Sequence, residues 1–459
     1  MQKHSFRHRI QRSWQGPGGV REVLIQAVPI IITQSTDTIL MFTDRYLLAK
    51  SSPEEMAAAL SGGLTAFLAI TLFFGLLSQV NALAGQFTGR KAHREAAVSA
   101  GQGILLTCVF APLLLLTLPW ARHFFEFCGH EGKLLEFEVT YYKILVAGHI
   151  ITLLRCVFAS FFSGIGRPAI VMKSAIVGVI LNIPCSYALI FGKWGLPELG
   201  IAGAAYATVF ASFCVLCILI WQYFSHSLRE SHLTHLSLRL DPSIMKKLMR
   251  FGLPAGFEFM IQLSGFNFFI LLFASAGPVA AAAVTITFSW ELLCFLPMTG
   301  IQIAVVSLSG KFIGMGKKKL AERATYNALK LAWVYTSCLV ITYLIFAEQF
   351  CQVFTQDRLT PASELASHML RIACLYMLFD SLHLVFSGIL KGAGDLLYPA
   401  ILTFIIFWGA SALAFIEIRY LHLEPILVWW TFTVLVIGMG LLYFLRFKGG
   451  HWRKVNLIH

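Results

Sequence analysis

Long apolar runs, separated by short polar breaks, fill this chain almost from end to end. A helix that crosses a bilayer needs about 20 apolar residues. Twelve such runs can be traced, at 22–48, 56–82, 97–119, 137–162, 169–191, 200–224, 248–276, 279–307, 322–347, 364–389, 397–418 and 425–446. Apolar residues are 57% of the 459 and charged ones 13%, roughly half the charged share of a soluble domain. No soluble core could bury that much apolar chain. A segment in hydrocarbon must satisfy its own backbone groups, so each run is expected to be a helix. The expected fold class is an all-α membrane protein with twelve transmembrane helices. That excludes a nucleic-acid-binding module, a disulfide scaffold and a soluble enzyme. The ten cysteines are scattered through apolar stretches, and Cys214 and Cys217 share one helix face, so they read as packing residues.

Basic residues orient the spans. The net charge is +13, and the excess alternates from loop to loop. One side collects the tail 1–21, Arg90, Lys91, Arg94, Arg167, Lys173, the stretch from Arg229 to Arg250, Lys311 to Arg323, Lys391 and the tail 447–459. The opposite side is rich in Glu54, Glu55, Glu126, Glu131, Glu136, Glu198 and Glu424. The positive-inside rule then puts both termini in the cytoplasm of a cell in whose inner membrane the protein sits, which requires an even number of spans. The first apolar run is too long for a signal peptide and is read as retained.

The two halves repeat. Ala-Val-Pro29 recurs as Gly-Leu-Pro254, and Gly85-Gln-Phe-Thr-Gly89 as Gly310-Lys-Phe-Ile-Gly314, both 225 residues later. Phe162-Ser-Gly164 recurs as Phe386-Ser-Gly388, 224 later. Three matches in one register point to duplication. The expected organisation is a six-helix lobe over 22–225, a polar linker over 226–247 and a second six-helix lobe over 248–446. An even number of spans per copy keeps the copies in the same orientation, related by an axis along the membrane normal. Two bundles so related can enclose a cleft and rock about it, which makes a transporter the expected class.

Several charged residues fall inside the spans: Asp37, Asp44, Glu258, Glu291 and Asp380. Each costs about 2.5–3.5 kcal/mol at mid-bilayer, so they are expected to face a wet cavity or a partner and to hold a proton, a cation or a cationic substrate. Asp37 and Asp44, seven apart, share a helix face. Asp380 and His383 lie one turn apart, a pair able to pass a proton because histidine titrates near neutrality. Glu258 and Gln262 are also one turn apart. Glu291 is open to pairing with Lys330 or to serving the cavity, and Arg155 and Lys143 to snorkelling or pairing with Asp37 or Asp44. Gln34, Gln262, Glu291 and Trp290 are candidate cleft-lining groups, and Trp408 and Trp429 further candidate aromatics. Pro29, Pro184, Pro254 and Pro297 fall inside spans, where they allow kinks.

These residues resemble the multidrug and toxic compound extrusion (MATE) transporters, their NorM-like branch in particular. The resemblance runs through Ala-Val-Pro29, Phe42-Thr-Asp44, Met56-Ala-Ala-Ala59, Gly85-Gln-Phe-Thr-Gly89 and Phe162-Ser-Gly-Ile-Gly-Arg-Pro168. It continues through Leu181-Asn-Ile-Pro184 to Pro197-Glu-Leu-Gly200, Gly203-Ala-Ala-Tyr-Ala-Thr208, Gly252-Leu-Pro254, Leu296-Pro-Met298, Phe379-Asp380 and Gly388-Ile-Leu-Lys-Gly392. It implies two pseudo-symmetric six-helix lobes around a central V-shaped cleft. It also implies multidrug efflux, the export of small organic, cationic and amphipathic compounds by antiport against H⁺ or Na⁺. The family's acids in the first and tenth helices match Asp44 and Asp380, and its asparagine in the fifth matches Asn182. Two positions depart from the pattern. Ser186 stands where some members have Asp, and Gln262 where sodium-coupled members have Glu. Fewer carboxylates weaken a sodium site, which favours H⁺, with a sodium ion near Asp380 as the alternative.

The expectation is therefore a monomeric secondary transporter in a lipid bilayer, not an enzyme, with no cofactor beyond the coupling ion and no structural metal. The alternative is a flippase for lipid-linked or polysaccharide precursors, which would want basic groups in the cleft.

Overall fold

A computed structural model describes residues 14–355, 360–455 and 457. Residues 1–13 of the basic tail lie outside the described residues. All regular structure among the described residues is helical, and twelve helices are long and apolar enough to cross a membrane, as the apolar runs lead one to expect.

In chain order, α1 is Val20–Ser51. The second span is α2, Pro53–Ser78, continued after one turn residue by α3, Val80–Gly89. The third is α4, His93–Leu115, followed by the short α5, Ala121–Phe127. Then come α6 (Gly132–Gly164), α7 (Pro168–Phe191) and α8 (Gly200–Tyr223). The polar stretch that follows contains α9, His226–His232. The last six spans are α10 (Pro242–Ala274), α11 (Pro278–Gly314), α12 (Lys318–Gln352), α13 (Pro361–Ala393), α14 (Leu397–Arg419) and α15 (Pro425–Lys448). Prolines sit at the first helical turn of α2, α7, α11, α13 and α15, where a missing N–H costs nothing. Pro29, Pro184, Pro254 and Pro297 lie within α1, α7, α10 and α11, and Pro112 within α4 as well.

The chain forms two compact units. One is Ile32–Gly256; the other is Phe257–Leu457 together with the chain up to Ile31. The dividing points fall inside α1 and α10, not in the linker. Val23, Ala27 and Ile30 of α1 are core residues of the C-terminal unit, packed among Met298, Ile301, Val305, Val385 and Ile389. The stretch 226–247 belongs wholly to the N-terminal unit. It is held there by Gln102 of α4, whose side chain donates to the Arg239 carbonyl (3.0 Å) and accepts from the Asp241 amide (3.2 Å).

The duplication read from sequence recurs in packing. Gly164 of α6 lies where a Cβ would stand 2.6 Å from the Asn81 carbonyl oxygen of α3. Its counterpart Gly388 of α13 lies where one would stand 2.8 Å from the Gln302 carbonyl oxygen of α11. In each unit the Phe-Ser-Gly motif thus lets two helices touch backbone to backbone, the way small residues drive helix association in lipid. Helix α13 is the most enclosed span among the described residues.

Candidate coupling sites

Each unit holds a carboxylate site around one of the two acids that the resemblance picks out, Asp44 and Asp380. In the N-terminal unit, α8 closes on α7 because Gly203 has no side chain: a Cβ there would sit 2.5 Å from the Leu189 carbonyl oxygen. That approach brings Asn182 and Ser186, one turn apart on α7, up to Thr208 on α8. Asp44 of α1 completes the site. The Ser186 hydroxyl donates to its Oδ1 and the Thr208 hydroxyl to its Oδ2, each at 2.8 Å. Asn182 donates through Nδ2 to Thr208 Oγ1 at 3.5 Å, and its Oδ1 is buried with no hydrogen-bond partner. Asp44 is 6% exposed and Asn182 and Ser186 not at all, while Thr208 is half-buried. The site therefore offers carboxylate, amide and hydroxyl oxygens to a small cation. A proton on Asp44 needs a different arrangement, because a carboxyl O–H must donate and one of the two hydroxyls must turn to accept it.

In the C-terminal unit, Asp380 and His383 lie one turn apart on α13, with His383 Nδ1 3.1 Å from Asp380 Oδ1. The histidine is 2% exposed, and its ring packs against Tyr443 of α15 at 4.7 Å between centroids. Helix α15 reaches this close because of Gly440, whose Cβ would meet the Phe379 carbonyl oxygen at 2.2 Å. One turn back from Asp380, the Tyr376 hydroxyl donates to Glu291 of α11. The C-terminal site is thus two carboxylates, a phenol and an imidazole within one unit.

The other sequence candidates fall as follows. Asp37 pairs with Arg155 at 3.6 Å, and Arg155 also donates to Ser212 at 2.9 Å, so of the open alternatives for Arg155 the pair with Asp37 forms. Glu291 bonds to Tyr376, whereas Lys330 is exposed on α12. Glu258 is buried in an ion pair with Lys391 at 3.1 Å; Gln262, one turn on, is half-buried. The Gln34 carbonyl accepts from Thr38. Trp290 is anchored by a hydrogen bond to the Phe350 carbonyl (3.0 Å) and by the Phe350 ring at 4.5 Å. Trp408 lies half-exposed against Phe268. Trp429 is a core residue, fully buried, with its indole N–H on the Met369 carbonyl. Thr208 and Tyr376 were not singled out from sequence. Thr208 ends the Gly203–Thr208 stretch of the resemblance, and Tyr376 precedes Asp380 by one turn, the only signals either residue gives.

The MatE family profile matches this chain twice, over residues 29–188 and 254–415. The "Probable multidrug resistance protein NorM" of Thermotoga maritima is 29% identical over 325 residues, 71% of this chain and 69% of that protein. The "Multidrug resistance protein MdtK" of Yersinia pseudotuberculosis is 25% identical over 391 residues, 84% of this chain and 85% of that protein. A solved structure of an outward-facing multidrug resistance MATE family transporter of the MOP superfamily superposes with a TM-score of 0.86 at 21% identity, covering 97% of this chain and 98% of that one.

Proposed function

Since this chain belongs to the MatE family of secondary transporters, we propose that it exports small organic, cationic and amphipathic compounds in exchange for protons, from the inner membrane with both termini in the cytoplasm. The relatives named as multidrug resistance proteins support the substrate class. The observation that carries the coupling reading is the pairing of Asp380 with His383 in one unit and the hydroxyl-capped Asp44 in the other. Asp44 is buried and Asp380 partly so, and the partners of both can exchange hydrogen-bond roles when a proton arrives. In the N-terminal site the position that would add a second carboxylate is Ser186, which donates a hydrogen bond and brings no negative charge. A hard monovalent cation there has one carboxylate to balance it.

The export reading is favoured over the flippase by the cations within spans. Arg155 and Lys391 are each engaged by a carboxylate, Asp37 and Glu258, and so are not free positive groups for a phosphate. Transport by alternating access then needs proton binding at Asp44 and Asp380 to differ in strength between the two access states.

The test is ethidium transport in proteoliposomes under an imposed pH gradient, then under a sodium gradient. Transport is expected to follow the pH gradient. Asp380→Asn and Asp44→Asn are expected to abolish gradient-driven transport while inserting normally. Transport driven by sodium alone would overturn the choice of ion. Undiminished transport by both variants would overturn the coupling sites.

A further inference from the structure

Glu138 of α6 is a second buried acid in the N-terminal unit, and the sites above do not use it. Its side chain is fully buried, and both carboxylate oxygens are taken. The Ser61 hydroxyl of α2 donates to Oε1, and His130 Nδ1 lies 2.8 Å from Oε2. His130 is different in kind: its side chain is 33% exposed. It stands in the loop between α5 and α6, which is built to present it. Gly129 turns in the left-handed region, φ +83°, so the chain reverses after α5. The His130 amide then donates to the Phe125 carbonyl, and the imidazole stacks over the Phe125 ring at 6.3 Å and 16°. One face of the pair is therefore open to solvent, and the other leads inward.

What lies inward is Tyr141, one turn from Glu138 on the same face of α6. Gly62 and Gly63 of α2 make room for it: a Cβ on Gly62 would meet the Glu138 carbonyl oxygen at 3.2 Å, and one on Gly63 the Tyr141 ring at 3.4 Å. Tyr141 is buried and lies within electrostatic reach of Asp44 and Arg45. Ser61, Glu138, His130, Tyr141 and Asp44 all belong to the one compact unit. In the topology proposed above, the loop carrying His130 lies on the outer side of the membrane.

We propose that His130 and Glu138 collect protons from the outer medium and feed them towards Asp44 by way of Tyr141. The inference rests on the reading of Asp44 as a proton site. A proton from solvent binds Nε2 of the partly exposed His130. The proton on Nδ1 passes to Glu138 Oε2, leaving a neutral imidazole and a neutral carboxyl group. That carboxyl group passes its proton to the Tyr141 hydroxyl oxygen as Tyr141 releases its own proton towards Asp44; Glu138 returns to the carboxylate that accepts from Ser61, and the imidazole regains its Nδ1–H tautomer by proton exchange with solvent. The groups facing Glu138 are Ser61 from α2 and His130 from the loop, with Tyr141 on its own helix, and of these His130 is the one that carries an imidazole. His130 and Glu138 touch no substrate here and act through Asp44.

The experiment uses the full-length protein in vesicles with the outer face outward, driven by external acid with saturating ethidium. His130→Ala is expected to slow proton-limited transport about tenfold, a modest share of what a positioned proton carrier contributes, with the KM for ethidium unchanged. Added imidazole restores the rate, since a soluble base of the same kind replaces the missing one. Glu138→Gln keeps the shape and the bond to Ser61; it is expected to slow transport by a similar factor without rescue by imidazole. Wild-type rates in both variants, or a loss in His130→Ala that imidazole leaves untouched, would overturn the proposal while Asp44→Asn remains inactive. An active Asp44→Asn would instead overturn the reading of Asp44 on which the proposal stands.

Discussion

Acid should loosen the stretch 226–247 from the N-terminal unit, and the geometry around His232 sets by how much. His232 ends α9 and is buried, 7% exposed. Its ring packs on His93 at the start of α4, 4.8 Å between centroids, and on Phe161 at 6.2 Å. Ser231 meets its Nδ1 at 2.8 Å, while Nε2 has no partner. Burial, and then the neighbouring His93 and Arg167, push its pKa down from 6.5 to about 4. The docked stretch thus holds a neutral imidazole that would bind a proton readily once released. Stability from this group is fully present above the released value of 6.5 and is lost as pH falls towards 4. Between about pH 7.5 and about pH 5.5 the ratio of docked to released chain should fall about tenfold. Solvent screening on the open side makes that a ceiling. Hydrogen exchange of residues 226–241, corrected for the intrinsic pH dependence of exchange, reads the ratio directly. His232→Gln should flatten the response, because an amide does not titrate in this range. A pH response that persists in His232→Gln, or none in the wild type, would refute the reasoning.

Two further outcomes follow from packing and pairing. Gly101 of α4 sits where a Cβ would fall 1.8 Å from the Ser237 carbonyl oxygen, so Gly101→Ala should displace the same stretch and cost about 1–3 kcal/mol. Raised exchange over 226–241 with the spans still protected is the expected pattern, and an unchanged one would place the close contact elsewhere. Asp395, buried between α13 and α14, takes a bidentate bond from Arg446 of α15, Nε at 2.9 Å and Nη2 at 3.0 Å. Arg446→Ala leaves that carboxylate without its cation and should cost about 3 kcal/mol. Thermal unfolding in detergent checks this, and Asp395→Leu added to Arg446→Ala should recover part of the loss.

The apolar runs announced the twelve spans because hydrocarbon leaves a chain so little choice, and the repeat announced packing as well as ancestry. Asp380 and His383 were legible as a pair because three residues along a helix is one turn, a distance that sequence states outright. The surroundings of Asp44 were not. Its two hydroxyl donors lie 142 and 164 residues away, and nothing local in Ser186 or Thr208 separates them from any other small polar residue in a span. Trp429 and Trp408 read alike for the same reason: an aromatic in an apolar run is consistent with core, lipid or cavity, and only tertiary packing sorts them.

The division of the chain was hidden more deeply. It falls inside α1 and α10, where hydropathy is continuous, and sequence segmentation follows breaks in hydropathy. Yet the two dividing residues, Ile31 and Gly256, stand in the repeat register, each two residues beyond a duplicated proline, Pro29 and Pro254. A proline withdraws one amide from the helical ladder and presses on the carbonyl a turn before it. The helix on either side is therefore less constrained to run as one rod. Both helices pass from one packed unit to the other at this point, at equivalent places in the repeat, whereas α4, α7 and α11 each carry an internal proline and stay within one unit. The Pro29 and Pro254 matches, read from sequence only as a mark of duplication, thus also marked where each unit begins.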